Sequence, residues 1–358
     1  MLLSDSGTGI ARIARFTVEK ATLQDYTFHR PPLYERPPPE DHGKTSRWRC
    51  FLTIAFISHE DCLLHDMGAH HPESPLRLRA IEKHVEAAGL SDVLLREAAP
   101  LATRAQLERV HDAAYIDALE RAAPASGVIH LDPDTAMNCH TFAAARRAAG
   151  AAVHGTDLVI GGKAASAFCS VRPPGHHAER DRAMGFCLFN NVAVGAAHAL
   201  AAHGLKRVAV ADFDVHHGNG TEEIFREDAR VLMVSTFQHP FYPFSGIEGR
   251  SERMVNIPLA AGSAGEQFRS AVEQEWLPAL EAFQPEMLYI SAGFDAHRED
   301  GMAMLGLVEA DYAWVTGALL RVARRYAGGR IVSVLEGGYA LDTLGRSVVA
   351  HLRAMSGV

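Results

Sequence analysis

The sequence predicts an α/β fold in which a mainly parallel sheet is covered by helices. Three observations predict it. Short apolar runs of strand length recur from residue 53 onward, and they alternate with stretches of helical pattern. The runs are apolar at successive positions, as strands buried on both faces require. Four of them end in polar clusters where a turn is expected, and in a parallel sheet all strand C-termini lie along one edge, where ligands bind.

The elements follow in order. Residues 1 to 52 stand apart, because HRPPLYERPPPEDHGKTSRWR (29 to 49) is rich in proline and charge. Such a composition favours an extended arm, so a flexible N-terminal extension is expected there. Residues 53 to 358 are expected to form a single domain. The α/β pattern runs from TIAFISHED (53 to 61) onward. SPLRLRAIEKHVEAAG (74 to 89) reads as a helix with Ser at the N-cap, Pro at the first helical position and Gly at the end. TRAQLERVH (103 to 111) opens with a Thr…Gln capping box. HTFAAARRAAGAAVHG and NNVAVGAAHALAAHG are Ala-rich helices that each close near a Gly. Between them come the strands ASAFCSV (165 to 171), RVAVADFDV (207 to 215), RVLMVSTF (230 to 237), EMLYISAGF (286 to 294) and RIVSVLEGG (330 to 338).

Bulk properties narrow the function. The chain has 358 residues, is 47% hydrophobic and 22% charged, and carries a formal net charge of -8. That balance suits a soluble globular domain and argues against a nucleic-acid partner, which calls for a basic face. The five cysteines include no CxxC pair, so neither a disulfide framework nor a thiolate zinc site is indicated. No apolar run approaches the roughly 18 residues of a membrane span, and no apolar signal core opens the chain. The expectation is a cytoplasmic protein.

The four polar clusters are RPPGHHAE with His176 and His177, DFDVHHGNG (212 to 220), SAGFDAHRED with Asp295, and LEGGY with Tyr339. Side chains on a strand alternate faces, so Asp212, Asp214 and His216 point the same way if the strand persists that far. Buried carboxylates need a partner or a metal. Asp214, His216 and Asp295 offer three ligands and leave a position open, which is the layout of a catalytic site. Nitrogen and oxygen donors without thiolate suit Zn²⁺ and also accept Fe²⁺, Co²⁺ or Mn²⁺. Asp212 is then left to hold a histidine by its ring N–H. His59, His65, His70, His71 and His239 read as surface or loop-packing residues.

RPPGHHA, GFCLFNNVA, DFDVHHGNGT, SAGFDAH and LEGGY together resemble the histone deacetylase family in its wider sense, and HDMGAHHPESPLRLRAI (65 to 81) is similar to its N-terminal motif. RPPGHH and the Asn of HHGNG look like the class II branch. The resemblance spans about residues 53 to 345. It implies a three-layer α/β/α domain around a parallel sheet of about eight strands, related to arginase. Asp214, His216 and Asp295 resemble the zinc ligands, and His176 and His177 the tandem histidines. The resemblance pairs Asp212 with His176 and Asn219 with His177. Tyr339 resembles the carbonyl-polarising tyrosine. Gly185 and Phe186 match the tunnel segment, with Gly185 accepting from the substrate amide and Gly338 beside the tyrosine. Tyr242 in HPFYPF looks like the opposite tunnel wall. Arg77 resembles the arginine near an internal channel for acetate. A structural K⁺ at the DFDVHH backbone is implied as well. The arginase branch itself is disfavoured, because only one coherent ligand set is present.

The implied reaction is deacetylation of N-acetyl-lysine in a peptide or protein, with hydrolysis of an acetylpolyamine or other small acetylated amine as the alternative. Met302 falls where polyamine-selective relatives carry an acidic gatekeeper, whereas a small shift would bring Glu299 or Asp300 to the tunnel mouth. Tyr339 weighs against an acyl-lysine binding module without turnover. An oligomer is compatible with the sequence.

Overall fold

A computed structural model describes residues 53–91, 94–248 and 251–357. The flexible extension expected over residues 1 to 52 lies outside the described residues.

Eight strands form one parallel sheet: β1 (Ile54–Ser58), β2 (Leu94–Ala98), β5 (Ser166–Cys169), β6 (Val208–Asp212), β7 (Val231–Gln238), β8 (Met254–Leu259), β9 (Met287–Ala292) and β10 (Ile331–Leu335). Their order is β2-β1-β5-β10-β9-β6-β7-β8, and β3 (Val128–His130) pairs with β4 (Ala136–Asn138) in a separate antiparallel ribbon. β5, β6, β7, β9 and β10 are buried along their whole length, which is why they read as continuous apolar runs. β2 and β8 carry no such run. β2 is buried only at Leu94 and β8 contains a proline, as edge strands do.

Neighbouring residues of β10 show that the sheet is covered on both faces. A Cβ on Gly155, in the helix Thr141–Ile160, would stand 3.4 Å from Val332 and 3.0 Å from Ala167. Ser333 and Phe168, one residue on in each strand, instead meet His351 of the helix Leu341–Ser356, the serine hydroxyl 2.9 Å from its Nε2. Since successive side chains point to opposite faces, the two helices cover opposite sides. Asn191–Ala202 packs beside the first helix, and Leu76–Ala87 and Glu309–Tyr326 pack beside the second. The fold is therefore three-layered. No helix among the described residues is long and apolar enough to cross a membrane.

Local signals vary in outcome. The capping box forms, with the Gln106 N–H donating to Thr103 Oγ1 at 3.3 Å and the Thr103 N–H to Gln106 Oε1 at 2.8 Å. Ser74 makes no side-chain cap: the helix begins after Pro75, and Ser74 serves only through its backbone carbonyl. β6 stops at Asp212 and does not run on to Val215.

The four strands that end in polar clusters, β5, β10, β9 and β6, are adjacent and occupy the middle of the sheet. All four are parallel, so their C-terminal ends share one edge. Residues up to about 170 positions apart thus meet without any further folding device.

Candidate active site

Because β6 ends at Asp212, strand alternation does not aim Asp214 and His216. A run of side-chain-to-backbone turns does so. Asp212 Oδ1 accepts the Asp214 N–H at 3.0 Å, and Asp214 Oδ1 accepts the His216 N–H at 2.9 Å. Aspartate readily makes this i to i+2 bond, and repeating it at spacing two coils DFDVHH into a compact knot. Asp295 joins from the end of β9, its Oδ1 accepting the Val215 N–H at 3.0 Å.

The knot brings three donor atoms together. His216 Nδ1 lies 2.9 Å from Asp214 Oδ1 and 3.3 Å from Asp295 Oδ2. All three residues are buried, and Asp295 Oδ2 has no hydrogen-bond partner. Burial and the neighbouring charge of Asp214 push the Asp295 carboxyl up to about 6. Burial opposes a charge on His216, yet the two carboxylates hold it up at about 9. A divalent cation at this point would relieve both strains at once. Room for it depends on Gly337, where an added Cβ would stand 1.9 Å from Asp295 Oδ2 and 2.6 Å from Asp214 Oδ2. The donor set and the unpaired oxygen therefore fit a metal ion.

Asp157, His198 and His203 form the other trio of possible ligands among the described residues. It does not fit. The Arg109 Nη1–H group donates to His198 Nδ1 at 2.9 Å, which leaves Nε2 as the protonated nitrogen, donating to Asp157 at 2.8 Å. No ring lone pair of His198 remains for an ion.

The tandem histidines come from the segment after β5. His176 Nδ1 donates to Asp212 Oδ2 at 3.0 Å, and His177 Nδ1 donates to Asn219 Oδ1 at 2.7 Å. The two rings differ in charge. Burial disfavours a charge on His176, but Asp214 and Asp212 overcome it and hold the ring at about 10. His177 is held well below the usual histidine range by burial and then by the positive His176 and His216. A buried carboxylate, Glu336, fastens this segment to β10 by accepting the Gly175 and His176 N–H groups at 2.6 and 3.1 Å.

A narrow cavity of about 220 Å³ leads to these groups. Phe186 and Gly185 form one wall, Phe241 and Tyr242 another, and Met302 and Tyr339 complete it, with Asp134 also lining it. Phe186 adopts φ 68, a left-handed conformation unusual for a bulky residue; its N–H donates to Thr135 Oγ1 at 3.1 Å, which holds it there. Gly185 is also left-handed, at φ 56, and a Cβ would lie 2.4 Å from the His177 ring. The ring of Tyr339 lies against Phe186 with centroids 5.9 Å apart and under the Arg77 guanidinium at 4.9 Å. Arg77 does not line the cavity. It is fully buried, donates to the Gly338 carbonyl at 2.7 Å and to the Glu336 carbonyl, and pairs with Glu73 at 3.1 Å. Gly338 does not line the cavity either; its carbonyl is taken by Arg77.

The structure thus gathers Asp212, Asp214, His216, Asp295, His176, His177, Asn219, Gly185, Phe186, Tyr242, Met302 and Tyr339 around one cavity and its floor. Glu299 and Asp300 are not at its mouth. Asp300 is buried and spends its carboxylate on backbone N–H groups, and Glu299 pairs with Arg346 at 2.9 Å. Asp134, Phe241 and Glu336 were missed by sequence reading. Asp134 lies in an acidic turn after the short, largely exposed strand β3, Phe241 hides in an aromatic-proline run, and Glu336 reads as the polar end of a strand. His65, read as surface or packing, is fully buried against Glu73 at 3.3 Å. His71 packs edge-on against Phe186, with centroids 4.8 Å apart.

Comparison with known proteins shows the family. Residues 71–355 match the histone deacetylase domain. The chain is 36% identical to a histone deacetylase-like amidohydrolase of Pseudomonas aeruginosa, covering 85% of this chain and 86% of that protein. It is 35% identical to a probable deacetylase of Archaeoglobus fulgidus, covering 81% and 82%. The crystal structure of the HDA15 HD domain superposes with a TM-score of 0.80 at 35% identity, covering 85% of this chain and 90% of that one. The chain belongs to the histone deacetylase family of deacetylases and amidohydrolases.

Proposed function

We propose that the protein is a zinc-dependent deacetylase acting on N-acetyl-lysine side chains, with Asp214, His216 and Asp295 as the metal ligands. The observation that carries this reading is the buried trio, with an unpaired Asp295 oxygen, at the floor of a narrow cavity. A Zn²⁺ held there supplies Lewis acidity to the amide carbonyl and makes a nearby water acidic enough to react near neutral pH. His177, uncharged and with Nδ1–H committed to Asn219, presents Nε2 to accept the water proton and later returns it to the leaving amine. His176, charged and anchored on Asp212, stabilises negative charge beside it. The Tyr339 hydroxyl stays protonated, since burial and Asp295 raise its pKa well above the ordinary range, and it donates to the developing oxyanion.

The walls of Phe186, Tyr242 and Met302 suit a lysine stem of four methylenes, a linear apolar chain. Ser235 stands opposite Asp212 in the β6–β7 register, and its buried hydroxyl has no partner. That unpaired oxygen fits a structural K⁺ beside the DFDVHH knot, which its oxygen donors would hold.

One observation favours a second reading. Asp134 puts a carboxylate on the cavity, where a cationic acetylpolyamine would find a partner. The experiment is kcat/KM of Zn-loaded protein on an acetyl-lysine peptide and on N-acetylputrescine, with a chelated control. Preference for the peptide supports the lysine reading. Preference for the polyamine, lost in Asp134→Asn, supports the second.

A further inference from the structure

We propose that Glu179 is a positioning residue that locks the side-chain amide of Asn219 and, through it, the tautomer of His177. The assignment rests on the reading of His177 as the group that takes and returns the proton.

An asparagine amide is nearly symmetric in shape, and turning it over exchanges a donor for an acceptor. With its oxygen toward His177, Asn219 accepts from Nδ1–H and leaves the Nε2 lone pair free. Turned over, its NH₂ group would meet Nδ1, and the ring would have to carry its proton on Nε2, where it cannot accept another. The bond to His177 does not by itself choose between these states, because each offers a matched donor and acceptor.

Glu179 chooses. Its Oε1 accepts from Asn219 Nδ2 at 2.7 Å, the shortest contact of that nitrogen, which also lies 3.5 Å from the His177 backbone carbonyl, while Oδ1 takes the His177 ring N–H. A carboxylate only accepts, so the amide oxygen cannot take that place. Met184 Sδ, at 3.3 Å from the same nitrogen, is also an acceptor. Glu179 is in turn fixed: Oε2 accepts from Arg182 Nη2 at 2.8 Å, its N–H donates to the Arg182 carbonyl at 2.9 Å, and its own carbonyl meets His111 Nδ1 at 2.9 Å. The glutamate ends the HHAE segment and lines a groove of about 650 Å³.

The test is a kinetic cycle on the full chain with an acetyl-lysine peptide, in Zn-loaded protein whose metal content and melting temperature are checked for each variant. Glu179→Ala is expected to lower kcat by roughly tenfold with KM unchanged, as a misplaced proton-transfer group does. Asn219→Asp is expected to lower kcat by about 10²-fold, because two carboxylates then face each other. The double variant Glu179→Gln/Asn219→Asp should recover to within about tenfold of the parent, since the glutamine amide can donate to the aspartate. In Asn219→Asp, whose carboxylate has no wrong orientation, Glu179→Ala should raise kcat where it lowers it in the parent. Losses that simply multiply, or a change confined to KM, in an active parent overturn the assignment and leave the functional reading intact. A metal-loaded parent that hydrolyses no acetyl amide overturns both.

Discussion

The carboxylate of Asp300 accepts the backbone N–H of Tyr339 at 2.6 Å and that of Ala340 at 3.0 Å. This contact settles where two loops stand. Asp300 is drawn inward, away from the cavity mouth, and Tyr339 is held so that its ring faces Phe186. The residue that could have served as an acidic gatekeeper is used to place the tyrosine.

Tyr339→Phe removes one hydroxyl and leaves Asp214, His216 and Asp295 in place. It should keep the metal and lose about 10²–10³ in kcat. Steady-state kinetics alongside metal analysis checks this. Retention of most activity would remove the hydroxyl from the mechanism.

Gly185→Ala forces a Cβ to 2.4 Å from the His177 ring at a left-handed backbone position. Either the tunnel segment or the imidazole must move. The expected result is a folded, metal-binding protein whose kcat drops on the order of 10²-fold, because a displacement of about 1 Å carries a penalty of that size.

Glu73 is fully buried and accepts from Arg77 at 3.1 Å, from two nitrogens of Arg172, and lies 3.3 Å from His65 Nε2. Burial opposes its charge, but Arg172 outweighs it and keeps the carboxyl well below the usual range. Glu73→Gln leaves two guanidinium groups short of a counter-charge, and removing one partner of a buried pair typically costs about 3–5 kcal/mol. Urea unfolding should show a loss of that order. A loss under about 1 kcal/mol would mean that water reaches these groups.

His351 is buried between Thr316 Oγ1 at 2.6 Å and Ser333 Oγ at 2.9 Å, and burial lowers its pKa to about 3. In the unfolded chain it titrates near about 6.5. Between these values the unfolded chain binds a proton that the folded chain refuses, so this residue's contribution is full above about pH 6.5 and is lost as pH falls. The slope approaches about 1.4 kcal/mol per pH unit. In His351→Gln that term is absent. The stability gap between parent and variant should therefore narrow from pH 7 to pH 5 in chemical denaturation, and a gap independent of pH would contradict the assignment.

The legibility of the chain differs by scale. The central strands were readable because burial on both faces makes them continuously apolar, as in VAVAD and VLMVS, whereas β2 and β8 at the edges mix polar or proline residues with apolar ones. The gathering of Asp214, His216 and Asp295 followed from parallel strand ends. Its cause in detail did not: strand alternation was the expected device, and turns made by Asp212 and Asp214 are the actual one. Contacts such as Glu336 to Gly175 join residues 161 positions apart and leave no local pattern in the sequence.

The central claim is that a metal at Asp214, His216 and Asp295 is needed for amide hydrolysis. The direct measurement titrates Zn²⁺ into metal-stripped protein while following hydrolysis of an acetyl-lysine peptide. Activity should appear in proportion to bound metal and saturate at one equivalent per chain, with Asp295→Ala binding none and staying inactive. Full activity in the stripped protein, or in Asp295→Ala, would contradict the account.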